Sequence, residues 1–512
     1  MAAPDRRGAA RAAVMHLAAA QAVSVGVMFL GLVVLARLLD PADFGIYALA
    51  MAIYAVARTI AEAGFLQDAI RREASMPSAA LALAAAMSLA LSLAVAALVV
   101  GGLALLPDGL AQPALAAVLV PMMLTLPVGA LTLQREARLH REVAFAVPAR
   151  AGVAGIVAET GVAIALAIAG YGATALAFGF VAGVLVRAVT VMALSRGTRP
   201  VRPALAEFGP LARFGWRMTS VSLLPKAADL ALLGALSAIA GAAATGLFNR
   251  SQRVCNLLDD TIFEALRPMM LPVISAALRD GVTPAEVVAT KHEYLAPIAF
   301  AGFGAVLLLA DPLVRTLLGP GWDEAVAPVR ILALAGLTMP VTKMAQKVLT
   351  AMGRLDDFAR IQNVQLAVRV VLGAAGALVS LEAFCAAVVA ASVLKAVLIL
   401  RWERVHAGAA LRALGRTALR AAGIAAATLA GPAAVLWGTD LPPAAMMAAS
   451  VALGGPTWLL CLRLTDHPLM GEIAAALRPR PSARSRTPAA PLRPASLAGA
   501  ASADPAGPRG PR

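Results

Sequence analysis

Long apolar runs separated by short polar turns recur along almost the whole chain. Each is near the roughly 20 residues that cross a bilayer as a helix. The clear runs cover 13–36, 43–65, 78–106, 110–133, 145–169, 172–194, 212–238, 294–318, 326–350, 359–381, 383–401, 415–438 and 443–464. Strict alternation of apolar and polar positions is absent, which argues against an outer-membrane barrel. The pattern predicts an all-α polytopic membrane protein.

One further stretch, Gly246 to Arg267 (GLFNRSQRVCNLLDDTIFEALR), is polar but has no proline or internal glycine to stop a helix. Its polar positions keep the helical period: Asn249, Arg253, Asn256 and Asp260 fall on one narrow arc, Glu264 extends it, and Leu247, Val254, Leu258 and Ile262 face elsewhere. Charge distribution makes it a crossing. Cytoplasmic loops carry excess Lys and Arg. With the N-terminus inside, Arg6, Arg7 and Arg11, then Arg71 and Arg72, Arg135, Arg138 and Arg141, and Arg196, Arg199 and Arg202 all lie inside. Only if 246–266 spans do Arg354, Arg360 and the cluster Arg401, Arg404, Arg412, Arg416 and Arg420 stay inside too. Asp311, Asp323, Glu324, Glu382 and Asp440 then lie outside. About fourteen helices with both termini cytoplasmic is the consistent topology.

Composition agrees. The 512 residues are 60% hydrophobic and 14% charged, too apolar for a soluble chain of this size. The first run continues to about Leu35, too long for a signal-peptide core, so it reads as a retained helix and Arg6–Arg7 as an orientation signal. The net charge of +15 belongs to the loops rather than to a nucleic-acid surface. Cys255, Cys385 and Cys461 show no disulfide or metal spacing. The domain reading is 1–12 cytoplasmic N-terminus, 13–200 N-lobe of six helices, 201–405 C-lobe of six helices, 406–465 two further helices, and 466–512 a disordered basic cytoplasmic tail. The Pro/Arg-rich part of that tail, from about Arg478 to Arg512, cannot bury a core.

A faint internal repeat supports two lobes. FGIYALAMAIYAVARTIAEA at 44–63 resembles TGLFNRSQRVCNLLDDTIFEA at 245–265. Tyr47, Tyr54, Arg58 and Glu62 repeat the spacing of Asn249, Asn256, Asp260 and Glu264. Six helices separate the copies, which suits a parallel duplication about an axis along the membrane normal.

A charge at mid-bilayer costs about 2.5–3.5 kcal/mol on insertion scales, so such residues face water or a partner. Arg58, Lys226, Arg250 and Arg253 are expected to line a central cavity between the lobes, with Tyr47, Tyr54, Asn249 and Asn256 beside them. Measured from a turn at about 239–245, Lys226 and Asp260 lie equally deep, on the order of 20 Å, and could pair; Lys226 and Asp229 are also neighbours on one helix. Glu62, Glu159, Asp229 and Asp260 are candidate coupling-ion or proton sites. Lys343, Lys347, Arg369 and Lys395 lie nearer expected helix ends, where snorkelling accounts for them. A cationic cavity suits an anionic ligand, because arginine forks match phosphate oxygens. The five histidines have no metal-ligand spacing, and no P-loop is present. No catalytic residue, metal or cofactor is expected, and the chain reads as a non-enzyme.

Four segments carry a family resemblance: ARLLDPADFGIYALAMAI at 36–53, GLFNRSQRV at 246–254, PLVRTLLGPGWDEAVAPVRILALAG at 312–336 and TAMGRLDD at 350–357. Together they resemble the polysaccharide-export flippases of the multidrug/oligosaccharidyl-lipid/polysaccharide exporter superfamily, over about residues 10–465. The resemblance implies two six-helix lobes around a central cavity plus two C-terminal helices. It implies a polyprenyl-diphosphate-linked oligosaccharide carried from the inner to the outer leaflet of a bacterial inner membrane by alternating access. Membrane lipids and the glycosyltransferase and polymerase machinery are the partners it implies, with no nucleic acid. Phe248 and Asn249 depart from the Tyr and Ser common in the second segment, so no residue role carries over there. The alternatives are an ion-coupled exporter of small molecules and a membrane-embedded transferase acting on lipid-linked sugars. The transferase would need an acidic or His cluster at a membrane face, which the sequence does not show.

Overall fold

In lipid, an apolar segment must satisfy its own backbone, which a helix does. In a computed structural model the protein is helical throughout the described residues, which are 6–65, 68, 78–105, 113–141, 146–195, 202–263 and 267–471. The elements are α1 (Arg6–Leu38), α2 (Pro41–Glu62), α3 (Ser78–Ala104), α4 (Pro113–Met123), α5 (Leu126–Arg141), α6 (Ala146–Ile168) and α7 (Ala173–Leu194). The long α8 (Phe208–Phe263) follows, then α9 (Arg267–Arg279), α10 (Pro284–Leu308), α11 (Ala310–Leu317), α12 (Val326–Gly336), α13 (Met339–Thr342) and α14 (Ala345–Ala351). The chain continues through α15 (Leu355–Ala377), α16 (Leu381–His406), α17 (Leu411–Gly438) and α18 (Pro443–Leu464). The Pro/Arg-rich tail lies outside the described residues.

At about 1.5 Å per residue, α8 would run roughly 84 Å if straight, far more than the ~30 Å hydrocarbon core. It breaks at Gly241 (φ 87°, ψ 177°), inside the expected turn at 239–245. Glycine is suited to that positive φ. Of the polar stretch 246–266, the described residues to Phe263 lie in a separate helical arm, 242–263. Among the described residues nine helices are long and apolar enough to cross a bilayer, or eleven if each of two bent pairs counts as one span. The 205–258 stretch enters that count once, although Gly241 divides it.

Several expected spans are broken. The run 110–133 divides into α4 and α5, 294–318 bends by 76° between α10 and α11, and 326–350 bends by 47° between α12 and α13. Each first helix ends four residues before a proline: Met123 before Pro127, Leu308 before Pro312, Gly336 before Pro340. Proline lacks an N–H and its ring crowds the carbonyl four residues back. Pro121, Pro225, Pro297, Pro432 and Pro456 lie inside helices that continue past them, so a proline alone does not set a break. The helix α9 was not foreseen; its 13 residues span about 20 Å, too short to cross.

Small residues let the helices approach. A Cβ on Gly155 of α6 would lie 3.0 Å from the Gly183 carbonyl of α7, and one on Gly179 would lie 2.7 Å from the Glu159 carbonyl. This is the small-xxx-small packing common between membrane helices.

The closest approach joins α2 to the second arm of α8. A Cβ on Gly45 would lie 1.8 Å from the Ala242 carbonyl oxygen, and one on Gly246 would lie 1.7 Å from that of Pro41. The contact is reciprocal, as expected of a two-fold-related pair. Three of the segments that carry the family resemblance converge on it. Phe44 packs on Trp322, ring centroids 5.6 Å apart, and the Trp322 indole N–H donates to the Ala36 carbonyl at 2.8 Å. Ser251 donates to the Ala325 carbonyl at 3.3 Å. Asp43 accepts from the Ala173 amide at 2.8 Å, tying the start of α7 to the same knot. The motifs are therefore read as structural residues of a junction.

A second anchor ties α10 to α16. Glu403 is fully buried; Lys291 Nζ lies 2.5 Å from its Oε1 and His292 Nε2 lies 3.0 Å from its Oε2. Lys291 also donates to the Val341 carbonyl at 3.1 Å. Removing one partner of a buried pair costs about 3–5 kcal/mol, because the other charge stays buried. Glu403→Ala should therefore lower the melting temperature of the purified protein sharply, and Lys291→Met with Glu403→Leu should recover much of the loss. Equal melting of Glu403→Ala and the parent would remove the anchor role.

Candidate functional site

A cavity of about 290 Å³ opens between α2, α3, α5 and α7 and the break that precedes α5. Tyr54, Arg58 and Glu62 reach it from α2. Arg58 Nε lies 2.6 Å from Glu62 Oε1, an i,i+4 pair that leaves most guanidinium donors unused by that contact. Arg187 of α7 and Glu136 of α5 meet at 3.2 Å on another wall. Thr125 lies in the α4–α5 break and donates to the Tyr54 hydroxyl at 3.2 Å. Ser88 of α3 donates to the Ala61 carbonyl at 3.0 Å. The break before Pro127 sets Thr125 at this wall.

A second cavity, about 450 Å³, lies between both arms of α8 and α12, α13, α15 and α16. Asn256 and Asp229 line it, together with Lys343, Arg369 and Lys395. Arg369 Nη1 lies 2.8 Å from Asp229 Oδ1. Lys395 Nζ donates to Gln362 Oε1 at 2.6 Å.

The expected site residues are thus divided. Tyr54, Arg58 and Glu62 share one cavity, and Asn256 and Asp229 share the other. Asp229 pairs with Arg369 of α15 instead of Lys226, because α15 packs against the first arm of α8 at that depth. Lys226 is exposed. Arg250 stacks over Phe44, 3.7 Å from the ring centroid, with its Nε buried; it belongs to the glycine junction and not to either of these cavity walls. Tyr47 is half-buried against the core, and Asn249 and Arg253 are half-buried. Glu159 packs where α6 meets Gly183 of α7. The side chain of Asp260 and all of Glu264 lie outside the described residues.

Snorkelling does not account for Arg369, Lys395 and Lys343, which line the second cavity. The structure places Arg369 and Lys395 well inside α15 and α16 and Lys343 just after α13. Ser88, Ser92, Thr125, Glu136 and Arg187 were missed. The signal for the serines was present: two hydroxyls four apart in an otherwise apolar run share one helix face.

A family model described as "Polysaccharide biosynthesis protein" matches residues 34–327, more than half of the chain. No curated protein matches the chain by sequence. Among solved structures, the chain is similar to a lipid II flippase, MurJ, in an inward closed conformation. The TM-score is 0.73 at 11% identity, covering 89% of this chain and 99% of that one. It is also similar to an inward-facing multidrug resistance MATE family transporter of the MOP superfamily, with TM-score 0.59 at 14% identity, covering 79% of this chain and 99% of that one. The fold is the one these transporters share. By its sequence match, the chain belongs to the polysaccharide biosynthesis protein family.

Proposed function

We propose that this protein carries a polyprenyl-diphosphate-linked oligosaccharide from the inner to the outer leaflet of a bacterial inner membrane by alternating access of an N-lobe, 13–200, and a C-lobe, 201–405. The observation that carries the reading is the reciprocal Gly45–Gly246 crossing. Two helices held at one glycine each can scissor about that point. The same helices bear Arg58 and Arg253, on the order of 20 Å and 10 Å beyond the crossing along their axes. Arg58 and Arg253 hold the diphosphate through charge-assisted hydrogen bonds, and Tyr54, Tyr47 and Asn249 lie along its path. Rocking of the lobes moves the headgroup past the junction that Arg250 and Phe44 seal.

The lipid tail stays in the membrane. An apolar cavity of about 530 Å³ between α10 and α17, lined by Leu307, Leu429, Ala433 and Trp437 with Arg330 beside them, suits it. Glu62 and Asp229 hold cationic partners that a proton or metal ion would displace, and Glu159 is a third coupling candidate. Both termini face the cytoplasm, where glycosyltransferases assemble the substrate; a polymerase takes it on the far side.

The test is reconstitution. Proteoliposomes carrying a fluorescent polyprenyl-diphosphate oligosaccharide should equilibrate it between leaflets faster than protein-free vesicles, read by quencher accessibility. Equal rates in both would refute the flippase reading; efflux of small cationic drugs under the same conditions would put the exporter in its place.

A further inference from the structure

The first arm of α8 carries basic residues that belong to neither cavity wall. Arg213, Trp216, Arg217, Ser220 and Leu224 are exposed, Trp216 by 75%. Spacings of three and four set them on one helix face. Leu211 and Gly215 are buried on the opposite face. Leu211 packs with Ala63 and Phe65, and a Cβ on Gly215 would lie 3.1 Å from the Ala63 carbonyl oxygen. Ala63 directly follows Glu62, so α8 rests on the end of α2 that carries the Arg58–Glu62 pair. The exposed face therefore stands beside the seam between the two proposed lobes.

Depth decides what that face meets. Arg217 and Arg213 lie roughly 36 Å and 42 Å from the Gly241 break along an upright helix, at about 1.5 Å per residue. The hydrocarbon core is about 30 Å thick, and the headgroup layers bring the bilayer to about 40–45 Å. In the proposed topology Gly241 is at the outer surface, so both guanidinia stand in the inner headgroup layer, level with lipid phosphates. Trp216, between them in sequence, is the amphipathic ring favoured at that level. Val221 and Leu224, both exposed, continue the face toward the hydrocarbon.

The pair of arginines selects the headgroup. Residues four apart on a helix stand about 5–6 Å apart at Cβ, and each guanidinium is a planar fork matched to phosphate oxygens. Among the described residues neither makes an ion pair. A diester phospholipid brings one phosphate with a single charge and needs one fork. A diphosphate brings two adjacent phosphates and uses both.

We propose that this face of α8 is an entry-side docking surface for a polyprenyl diphosphate headgroup in the inner leaflet. Arg213 and Arg217 hold the two phosphates, and the first units of the chain lie along Val221 and Leu224. The inference rests on the flippase reading and adds a contact that precedes the cavity.

The experiment uses the full chain carrying Arg58→Gln and Arg253→Gln, in phosphatidylcholine nanodiscs, so that the surface reports without the cavity contacts. A fluorescent polyprenyl diphosphate is bound and then competed with unlabelled polyprenyl diphosphate, polyprenyl monophosphate or phosphatidylglycerol. The diphosphate should compete at least about tenfold better than either of the others. Adding Arg213→Gln and Arg217→Gln should weaken probe binding by about tenfold or more, the size of lost charge-assisted hydrogen bonds. Arg213→Lys with Arg217→Lys, which keeps the charge that orients the helix, should recover part of the loss. Equal competition by phosphatidylglycerol would make the face a general headgroup anchor and overturn the proposal, as would unchanged probe binding in the Gln variant. The parent reading fails separately: it falls if the unaltered protein does not exchange the lipid-linked oligosaccharide between leaflets, whatever the probe does in nanodiscs.

Discussion

Gly45→Ala will abolish transport and sharply lower the yield of folded protein, whereas Gly234→Ala will not. The Cβ added at Gly45 would lie 1.8 Å from the Ala242 carbonyl oxygen. Van der Waals contact begins near 3.5 Å, so the two backbones would have to part by roughly 1.5–2 Å. The obstacle is backbone, which cannot rotate away as a side chain can. Parting the helices would also pull Phe44 from Trp322 and strain the Trp322–Ala36 hydrogen bond. Overpacking of a core costs about 1–3 kcal/mol where side chains can yield, and this site should exceed that range. Gly246→Ala should behave alike, since its Cβ meets the Pro41 carbonyl at 1.7 Å. Gly234 lies on the first arm of α8 with nothing within 4 Å of its would-be Cβ. There alanine should be neutral or stabilise by about 0.5–1 kcal/mol through its better helix propensity. Size-exclusion yield and melting temperature of the three variants give the comparison. A well-folded, active Gly45→Ala protein would show that the crossing is not a fixed contact.

The double substitution Arg58→Gln with Arg253→Gln should remove transport and spare insertion. A charge-assisted hydrogen bond to phosphate is worth about 1.5–3 kcal/mol, so losing two sites should slow flipping by about 10²–10⁴-fold. Stability should change little on the Arg58 side. Its pair with Glu62 is about half exposed on both partners, 51% and 47%, and such pairs contribute about 0–1 kcal/mol. Leaflet exchange of the fluorescent lipid, normalised to the reconstituted amount, is the readout. Unimpaired exchange in the double variant would move the diphosphate contacts elsewhere, and the Lys395 cavity would be the first place to look.

The class of the protein was legible from its runs of apolar residues, because a bilayer imposes length and apolarity on each helix separately. The break at Gly241 and the helical nature of 246–263 were legible too, since a polar stripe at the helical period is local information. The three proline breaks share a signature, a helix ending four residues before a proline, but other prolines such as Pro225 and Pro297 sit inside continuous helices.

The cavities were less legible. Depth suggested that Lys226 could pair with Asp260, and spacing made Asp229 its neighbour on one helix, yet Asp229 goes to Arg369, 140 positions away. Of the charges singled out as one site, Arg58 and Glu62 line one cavity, Asp229 lines the other, and Arg250 lies in the junction. The family-like segments at 36–53, 246–254 and 312–336 gave no hint that they meet; only the packed structure brings Ala36, Phe44, Gly246 and Trp322 into one knot.

By itself the sequence determined how many residues each helix can spend in the membrane and which positions carry charge, because those depend on one segment and its solvent. The tertiary structure alone decided which charges share a cavity and which glycines touch. Those depend on how far apart two helices sit, and that distance is set by partners hundreds of residues away.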